Sequence, residues 1–178
     1  MTRAVPDPDL AITAIKGRGM FLTPLRVDDA ESMVEVLADP QLYTFTGGEA
    51  PSLEGLRRRY RSQVRGGPTD GSAYWLNWIV RLRDDTAVGF VQATAHYDGI
   101  SYIADLAWVI GTPWQRKGMA TAAAVLMKDW LADHGVPRFC ASIHPRHESS
   151  RKVAASLGLR RSEQLTDEGE EVWNMTTP

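Results

Sequence analysis

The residues whose types and spacing best suit chemistry form one short segment, Gln115 to Ala120, with the sequence Gln-Arg-Lys-Gly-Met-Ala. This segment follows an apolar, strand-like run over 102–110 and opens a helical pattern that ends near His134. A glycine-containing turn between a strand and a helix leaves several backbone N–H groups without partners, and the helix dipole adds partial positive charge there. The segment therefore predicts a binding site for a pyrophosphate.

Composition and charge exclude several classes of protein. The 178 residues suit one domain with a sizeable core, and a net charge of −2 does not fit a protein that binds duplex nucleic acid. The single cysteine, Cys140, excludes an intrachain disulfide and a four-thiolate metal site. No apolar run approaches the roughly 20 residues of a membrane-spanning helix, and the sequence begins without the apolar segment of a secretory signal. We expect a cytoplasmic protein that contacts neither nucleic acid nor membrane.

Hydrophobic periodicity predicts one α/β domain over 18–178, preceded by a mobile N-terminal arm over 1–17, in which an edge strand over 10–14 is the alternative. The first helix is predicted to begin with a capping box made by Asp28 and Glu31, and the second with Ser52 as its cap. The predicted strands cover 20–26, 75–82, 87–96, 101–110 and 139–143, with a closing hairpin from 159 to 175, and the predicted helices cover 28–37, 52–63, the region from the glycine turn to 134, and 148–157. This order indicates a sheet with helices on its faces.

Three blocks of sequence, in this order, carry a resemblance to a known family. They are Phe21–Leu25 followed by Asp28–Ala30, then Ala104–Ala120, then Ile143–Ala154 followed by Leu157–Leu159. The whole order from Met20 to Thr177 resembles the GNAT N-acetyltransferase superfamily, and the local sequence is most similar to its ribosomal-protein N-terminal acetyltransferase branch, the RimJ/RimL type.

The resemblance implies a mixed, mostly antiparallel central sheet with helices on both faces. In that fold the fourth strand, here 101–110, splays from the fifth, here 139–143, and pantetheine lies in the V-shaped slot between them. The resemblance assigns pantetheine and the thioester carbonyl to backbone groups of Trp108, Val109 and Ile110. It assigns the pyrophosphate to the loop and the start of its helix, namely Gln115, Arg116, Lys117, Gly118, Met119, Ala120 and Thr121.

The sequence departs from the family pattern at two positions. His147 stands where the family usually has an asparagine that binds the pantetheine arm, and Ala154 stands where many members have the tyrosine that protonates the thiolate. In the resembling branch a serine three residues beyond the asparagine can serve, which here is Ser150. The alternatives remain that Ser150 only caps backbone N–H groups, and that His147 is itself the proton donor or a replacement hydrogen-bonding group.

Asp105 interrupts an apolar run and matches an acidic position on the family's fourth strand. A carboxylate there can accept the proton of an attacking amine, directly or through water, and we expect burial to make it a better base. The alternative is an exposed or structurally paired aspartate. Cys140 is expected to be a packed thiol rather than a nucleophile. His144 and His147 lie three residues apart without a set of carboxylate or thiolate partners, so no metal site is predicted.

The resemblance implies an N-acyltransferase that uses acetyl-CoA and transfers the acetyl group by direct attack of a primary amine in a ternary complex. The acceptor, a protein N-terminus or a small-molecule amine, is left open, with the loops 44–51 and 66–72 as candidate lids. The resembling branch also implies a homodimer. Two rival hypotheses remain: a catalytically degenerate acyl-CoA-binding sensor or assembly protein, and another phosphate-binding α/β protein.

Overall fold

The structure, a computed structural model, describes residues 10–176 and consists of one eight-stranded sheet with four α-helices. The strands are β1 Ile15–Lys16, β2 Met20–Pro24, β3 Ala73–Leu82, β4 Ala87–Tyr97, β5 Tyr102–Ile110, β6 Arg138–Ile143, β7 Arg160–Leu165 and β8 Glu171–Thr176. The helices are α1 Ala30–Val36, α2 Leu53–Gln63, α3 Met119–Asp133 and α4 Glu148–Ser156, with short 3₁₀ turns at Val27–Asp29, Pro40–Tyr43 and Thr112–Trp114.

The strands lie in the order β1-β2-β3-β4-β5-β6-β8-β7. Every neighbouring pair is antiparallel except β5 and β6, which are parallel. Helices α3 and α4 pack on one face of the sheet, and α1 and α2 pack on the other. The prediction of a mixed, mostly antiparallel sheet with helices on both faces is confirmed. No helix in the described part of the chain has the length and apolar character needed to cross a membrane.

The first two helices begin in different ways. Ser52 caps α2 as predicted, because its Oγ accepts a hydrogen bond from the Gly55 N–H at 3.1 Å. The predicted capping box of Asp28 and Glu31 is not formed: the N-cap residue of α1 is Asp29, whose side chain makes no cap hydrogen bond to α1 and instead accepts the Arg26 N–H at 2.7 Å. The difference arises because Val27–Asp29 forms a 3₁₀ turn ahead of α1, and the Asp29 carboxylate also pairs with Arg81 on β3.

The predicted mobile arm lies partly outside the described residues, which begin at residue 10. From there on the chain contacts the sheet: Leu10 is buried, and the Trp78 indole N–H donates to the Thr13 carbonyl at 2.8 Å. The edge strand is Ile15–Lys16 rather than 10–14, because the chain reverses just after it, with Gly19 in the left-handed region at φ 89°.

Strands β5 and β6 separate part-way along their length. They pair at only three positions, of which Asp105 with Cys140 is the last, whereas β5 stays paired with β4 as far as Ile110. Strand β6 meanwhile remains paired with β8 along its whole length. The remainder of β5, from Leu106 to Ile110, therefore has no strand partner on its β6 side, and the predicted splay is confirmed.

Candidate active site

The slot between β5 and β6 is lined by backbone groups of alternate β5 residues. In an antiparallel pair, successive residues direct their N–H and C=O groups to opposite sides. The Gly111 N–H donates to the Val88 carbonyl at 2.8 Å, on the β4 side. Trp108 and Ile110 therefore direct both of their backbone groups away from β4 and into the slot, and Leu106 directs its carbonyl there.

Of the three predicted pantetheine-binding residues, Trp108 and Ile110 have this geometry and Val109 does not. Val109 pairs with Phe90, so its backbone groups face β4. The Ile110 carbonyl is also partly used, because it accepts the Gln115 side-chain amide at 2.8 Å. Sequence reasoning missed Leu106, although alternation of strand residues would have found it.

The loop between β5 and α3 forms a concave row of backbone donors. Arg116 and Gly118 both adopt left-handed backbone angles, with φ of 62° and 74°. Within residues 10–176 the N–H groups of 116–121 donate to no protein acceptor, whereas the Gln115 N–H already donates to Thr112. Left-handed residues alternating with ordinary ones turn successive N–H groups toward a common point, which suits an anion. The predicted donors from Arg116 to Thr121 therefore lie together, at the positive end of the α3 dipole.

The side chains of this loop serve different purposes. Gln115 ties the loop to the end of β5, and the Lys117 ammonium donates to the carbonyl of Pro113 at 3.2 Å. Arg116 is exposed and makes no ion pair with any described residue. The backbone N–H groups are thus the main candidate donors for an anion, and the exposed Arg116 guanidinium is the candidate cation beside them.

The start of α4 lies under an aromatic side chain from the predicted lid over 44–51. The ring of Phe45 stacks on His147 with centroids 4.5 Å apart and planes at 26°, and it also lies 5.3 Å from the ring of His144. Burial, and then the neighbouring charge of His144, lower the pKa of His147. His147 stands at the N-cap of α4 without making a side-chain cap hydrogen bond.

Ser150, in the first turn of α4, is half-buried and has no hydrogen-bond partner for its hydroxyl within the described residues. The alternative that it caps the helix is therefore not observed. Ala154 packs in the core and has no hydroxyl to replace the family's tyrosine. Arg151 anchors the helix, because its Nε lies 3.2 Å from a carboxylate oxygen of Glu171 on β8.

Asp105 lies on the sheet face opposite α3 and α4. Of the two possibilities for Asp105, the structure shows the exposed, paired aspartate, because α1 and α2 leave this part of the face open. The Cys140 thiol donates to its Oδ1 at 2.8 Å. Burial, and then this hydrogen bond and the Asp105 charge, raise the pKa of the Cys140 thiol, which disfavours the thiolate that a nucleophile needs.

The predicted catalytic residues thus flank the slot from different elements. Asp105 is on the open face of β5, His147 and Ser150 are at the start of α4, and no direct contact joins Asp105 to either of them within residues 10–176. No group of three or more histidine, cysteine, aspartate or glutamate side chains in that range is arranged to hold a metal ion.

The lowered pKa of His147 predicts a pH-dependent stability. Near pH 6.5 and below, the unfolded chain binds a proton at this histidine more readily than the folded chain does, so the free energy of unfolding falls as the pH is lowered through 6.5. When the pH is lowered from 7.5 to 5.5, we expect the free energy of unfolding of His147→Asn to fall less than that of the unmodified protein, as measured by urea unfolding. Phe45→Ala, which uncovers the ring, should reduce the same dependence.

The control is Ser149→Ala, an exposed residue of α4 that does not titrate. Its pH dependence should match that of the unmodified protein. Identical pH dependence for His147→Asn and the unmodified protein would contradict the assignment.

Comparisons with solved structures show the same fold over nearly the whole chain. RimL, a ribosomal L7/L12 alpha-N-protein acetyltransferase in complex with coenzyme A, aligns with a TM-score of 0.76 at 13% identity, covering 92% of this chain and 98% of that one. The ribosomal-protein-S5-alanine acetyltransferase of Vibrio fischeri aligns with a TM-score of 0.76 at 15% identity, covering 93% and 97%. The microcin C7 self-immunity acetyltransferase MccE, in complex with acetyl-CoA and AMP, aligns with a TM-score of 0.71 at 12% identity, covering 90% and 93%.

No curated protein sequence matches the chain significantly. The sequence profile of the Acetyltransferase (GNAT) domain matches residues 20–160, which is most of the chain and includes β5, the loop before α3 and all of α4. The chain therefore belongs to the GNAT acetyltransferase family.

Proposed function

We propose that this protein transfers the acetyl group of acetyl-CoA to a primary amine, by direct attack of the amine in a ternary complex. The observation that carries the proposal is the open edge of β5 leading into the unpaired N–H groups of residues 116–121. An extended ligand can add to an open strand edge as a further strand does, and the pantetheine arm of CoA is such a ligand. The pyrophosphate then lies on the loop.

In this arrangement the thioester lies toward the closed end of the slot, near the Asp105–Cys140 pair. The backbone N–H groups of β5 that face the slot, such as that of Trp108, can bind the carbonyl oxygen and stabilise the negative charge that develops on it. Holding amine and thioester together in one site lowers the barrier further.

The reaction needs two proton transfers, one to a base and one from an acid. Asp105 accepts the proton of the amine, directly or through water, as the nitrogen attacks the thioester carbon. The carbon–sulfur bond then breaks, and the departing thiolate takes a proton from Ser150 or His147. The half-buried Ser150 hydroxyl has no described protein partner, and the lowered pKa of His147 limits its charged form, so Ser150 is the preferred donor.

The acceptor stays open between two kinds of amine. RimL and the Vibrio fischeri protein are named for ribosomal-protein acceptors, which suggests a tripeptide with N-terminal alanine as a first probe. MccE holds AMP beside acetyl-CoA, which suggests small amines as a second set of probes. A homodimer and a cytoplasmic location remain predictions from the sequence.

A second candidate is an acyl-CoA-binding sensor or assembly protein without turnover. It is favoured by one observation, the replacement of the family's tyrosine by a fully buried Ala154. Saturable acetyl-CoA binding without thiol release in the presence of either set of amines would support it over the enzyme.

Acetyl-CoA binding is expected to depend on the conformation of Gly118. At about 100 times its dissociation constant, acetyl-CoA should raise the free energy of unfolding by about 2.7 kcal/mol. Gly118→Ala should cost about 1–2 kcal/mol of stability through left-handed strain, and it should weaken binding at least about fivefold as the loop relaxes.

Gly99→Ala is the matched control, because Gly99 also has a positive φ and open space around it but lies in the β4–β5 hairpin. Both variants should lose similar stability in urea, and only Gly118→Ala should bind acetyl-CoA more weakly by calorimetry. Equal affinities in the two variants would contradict the assignment of the loop.

Asp105→Asn is expected to lower turnover at least about tenfold, because it removes the base that takes the amine proton. Its affinity for acetyl-CoA should stay within about twofold, since the slot backbone and the loop are untouched. Thiol release and calorimetry measure the two quantities. Asp167→Asn, an exposed carboxylate in the β7–β8 hairpin, is the control. Unchanged turnover in Asp105→Asn would remove Asp105 from the mechanism.

A further inference from the structure

A row of four polar side chains crosses the sheet where the slot begins. Thr94 on β4 is opposite Asp105, Asp105 is opposite Cys140 on β6, and Cys140 is opposite Asn174 on β8. Side chains opposite one another on adjacent strands point to the same face of a sheet. This face is the one opposite α3 and α4, so the row lies on the side where Asp105 is exposed.

Within this row the Cys140 thiol holds one oxygen of the Asp105 carboxylate. The Sγ to Oδ1 distance is 2.8 Å, and the other oxygen, Oδ2, has no protein partner in the described part of the chain. The raised pKa of the thiol keeps it protonated and therefore a donor. One carboxylate oxygen is thus fixed and the other is left to accept a proton.

We propose that Cys140 is a positioning residue for Asp105, which it holds in the orientation that accepts the amine proton. The proposal rests on the proposed function of Asp105. An exposed aspartate rotates freely about its side-chain bonds, and a hydrogen bond from a neighbouring strand restricts it. Cys140 is the last β6 residue that can do this, because the strands separate beyond it and Ser142 has no β5 partner.

The charged and titratable groups around the pair are few. His96 on β4 is two residues along the chain from Thr94 and shares its face, while Arg138 on β6 is paired with Asp98 in the β4–β5 hairpin. Thr94 and Asn174, the other neighbours in the row, carry no charge, and the exposed Arg160 on β7 lies beyond them, opposite Asn174.

The first experiment tests the thiol–carboxylate contact without any activity. Cys140 is the single cysteine, so alkylation by iodoacetamide reports on it alone. Removing the Asp105 charge favours the thiolate, and Asp105→Asn should therefore react about threefold or more faster at pH 8 than the unmodified protein. Asp167→Asn should react at the unmodified rate. Equal rates for Asp105→Asn and the unmodified protein would overturn the proposal.

The second experiment measures turnover of acetyl-CoA with the N-terminal alanine tripeptide or, if that is not acetylated, the small amine that turns over fastest. Cys140→Ala should lower kcat about fivefold or more and leave the acetyl-CoA dissociation constant unchanged. Cys140→Ser restores a hydrogen-bond donor and should restore kcat. In the Asp105→Asn background, Cys140→Ala should have no further effect.

Each other outcome counts against the proposal. Unmodified kinetics in Cys140→Ala would show that the thiol does not act on Asp105. Equal losses in Cys140→Ala and Cys140→Ser, with lower stability in both, would show a packing role only. If the unmodified protein acetylates no amine, the proposed function fails and this inference fails with it. If it acetylates the probe but Cys140→Ala does so equally well, the inference alone fails.

Discussion

The loss of strand pairing beyond Asp105 and Cys140 is the constraint around which the rest of the structure is arranged. Strand β5 keeps its β4 partner to its end, and β6 keeps β8, so the gap opens between two strands that are each firmly held. Buried backbone groups without partners are costly, and proteins rarely leave them so. An open edge inside a sheet is therefore a site that a ligand with an extended, hydrogen-bonding arm can complete.

The elements around this gap hold it open and extend it. Gln115 covers the last carbonyl of β5 and so fixes the loop whose left-handed residues expose the N–H groups of 116–121. On the other side, the buried Glu171 anchors α4 through Arg151. Burial opposes its ionisation, but hydrogen bonds from Arg161 and Trp173 and the two guanidinium charges lower the pKa of Glu171. Gln115 thus fixes the loop before α3, and Glu171 fixes the start of α4, where His147 and Ser150 lie.

The sequence predicted the order of strands and helices along the chain and the glycine loop, because both depend on local patterns: alternation, turn residues and a glycine before a helix. It did not predict features that depend on which strands meet. The sequence left open whether Asp105 is buried or exposed, and only the packing of α1 and α2 shows that its face is open. The ring of Phe45 over His147 joins residues about a hundred positions apart, and no periodicity reports such a contact. The N–H and C=O groups of Val109 face β4 because Val109 pairs with Phe90, and the sequence of one strand does not reveal that pairing.

Residue-resolved amide exchange with and without saturating acetyl-CoA tests the central claim most directly. The account predicts that exchange slows at least about tenfold at the slot-facing amides of Trp108 and Ile110 and across 116–121, because these donors gain acceptors only from the ligand. The amide of Val109, which faces β4, should change little. Saturating acetyl-CoA that leaves the amides of 116–121 exchanging at their original rate would contradict the account.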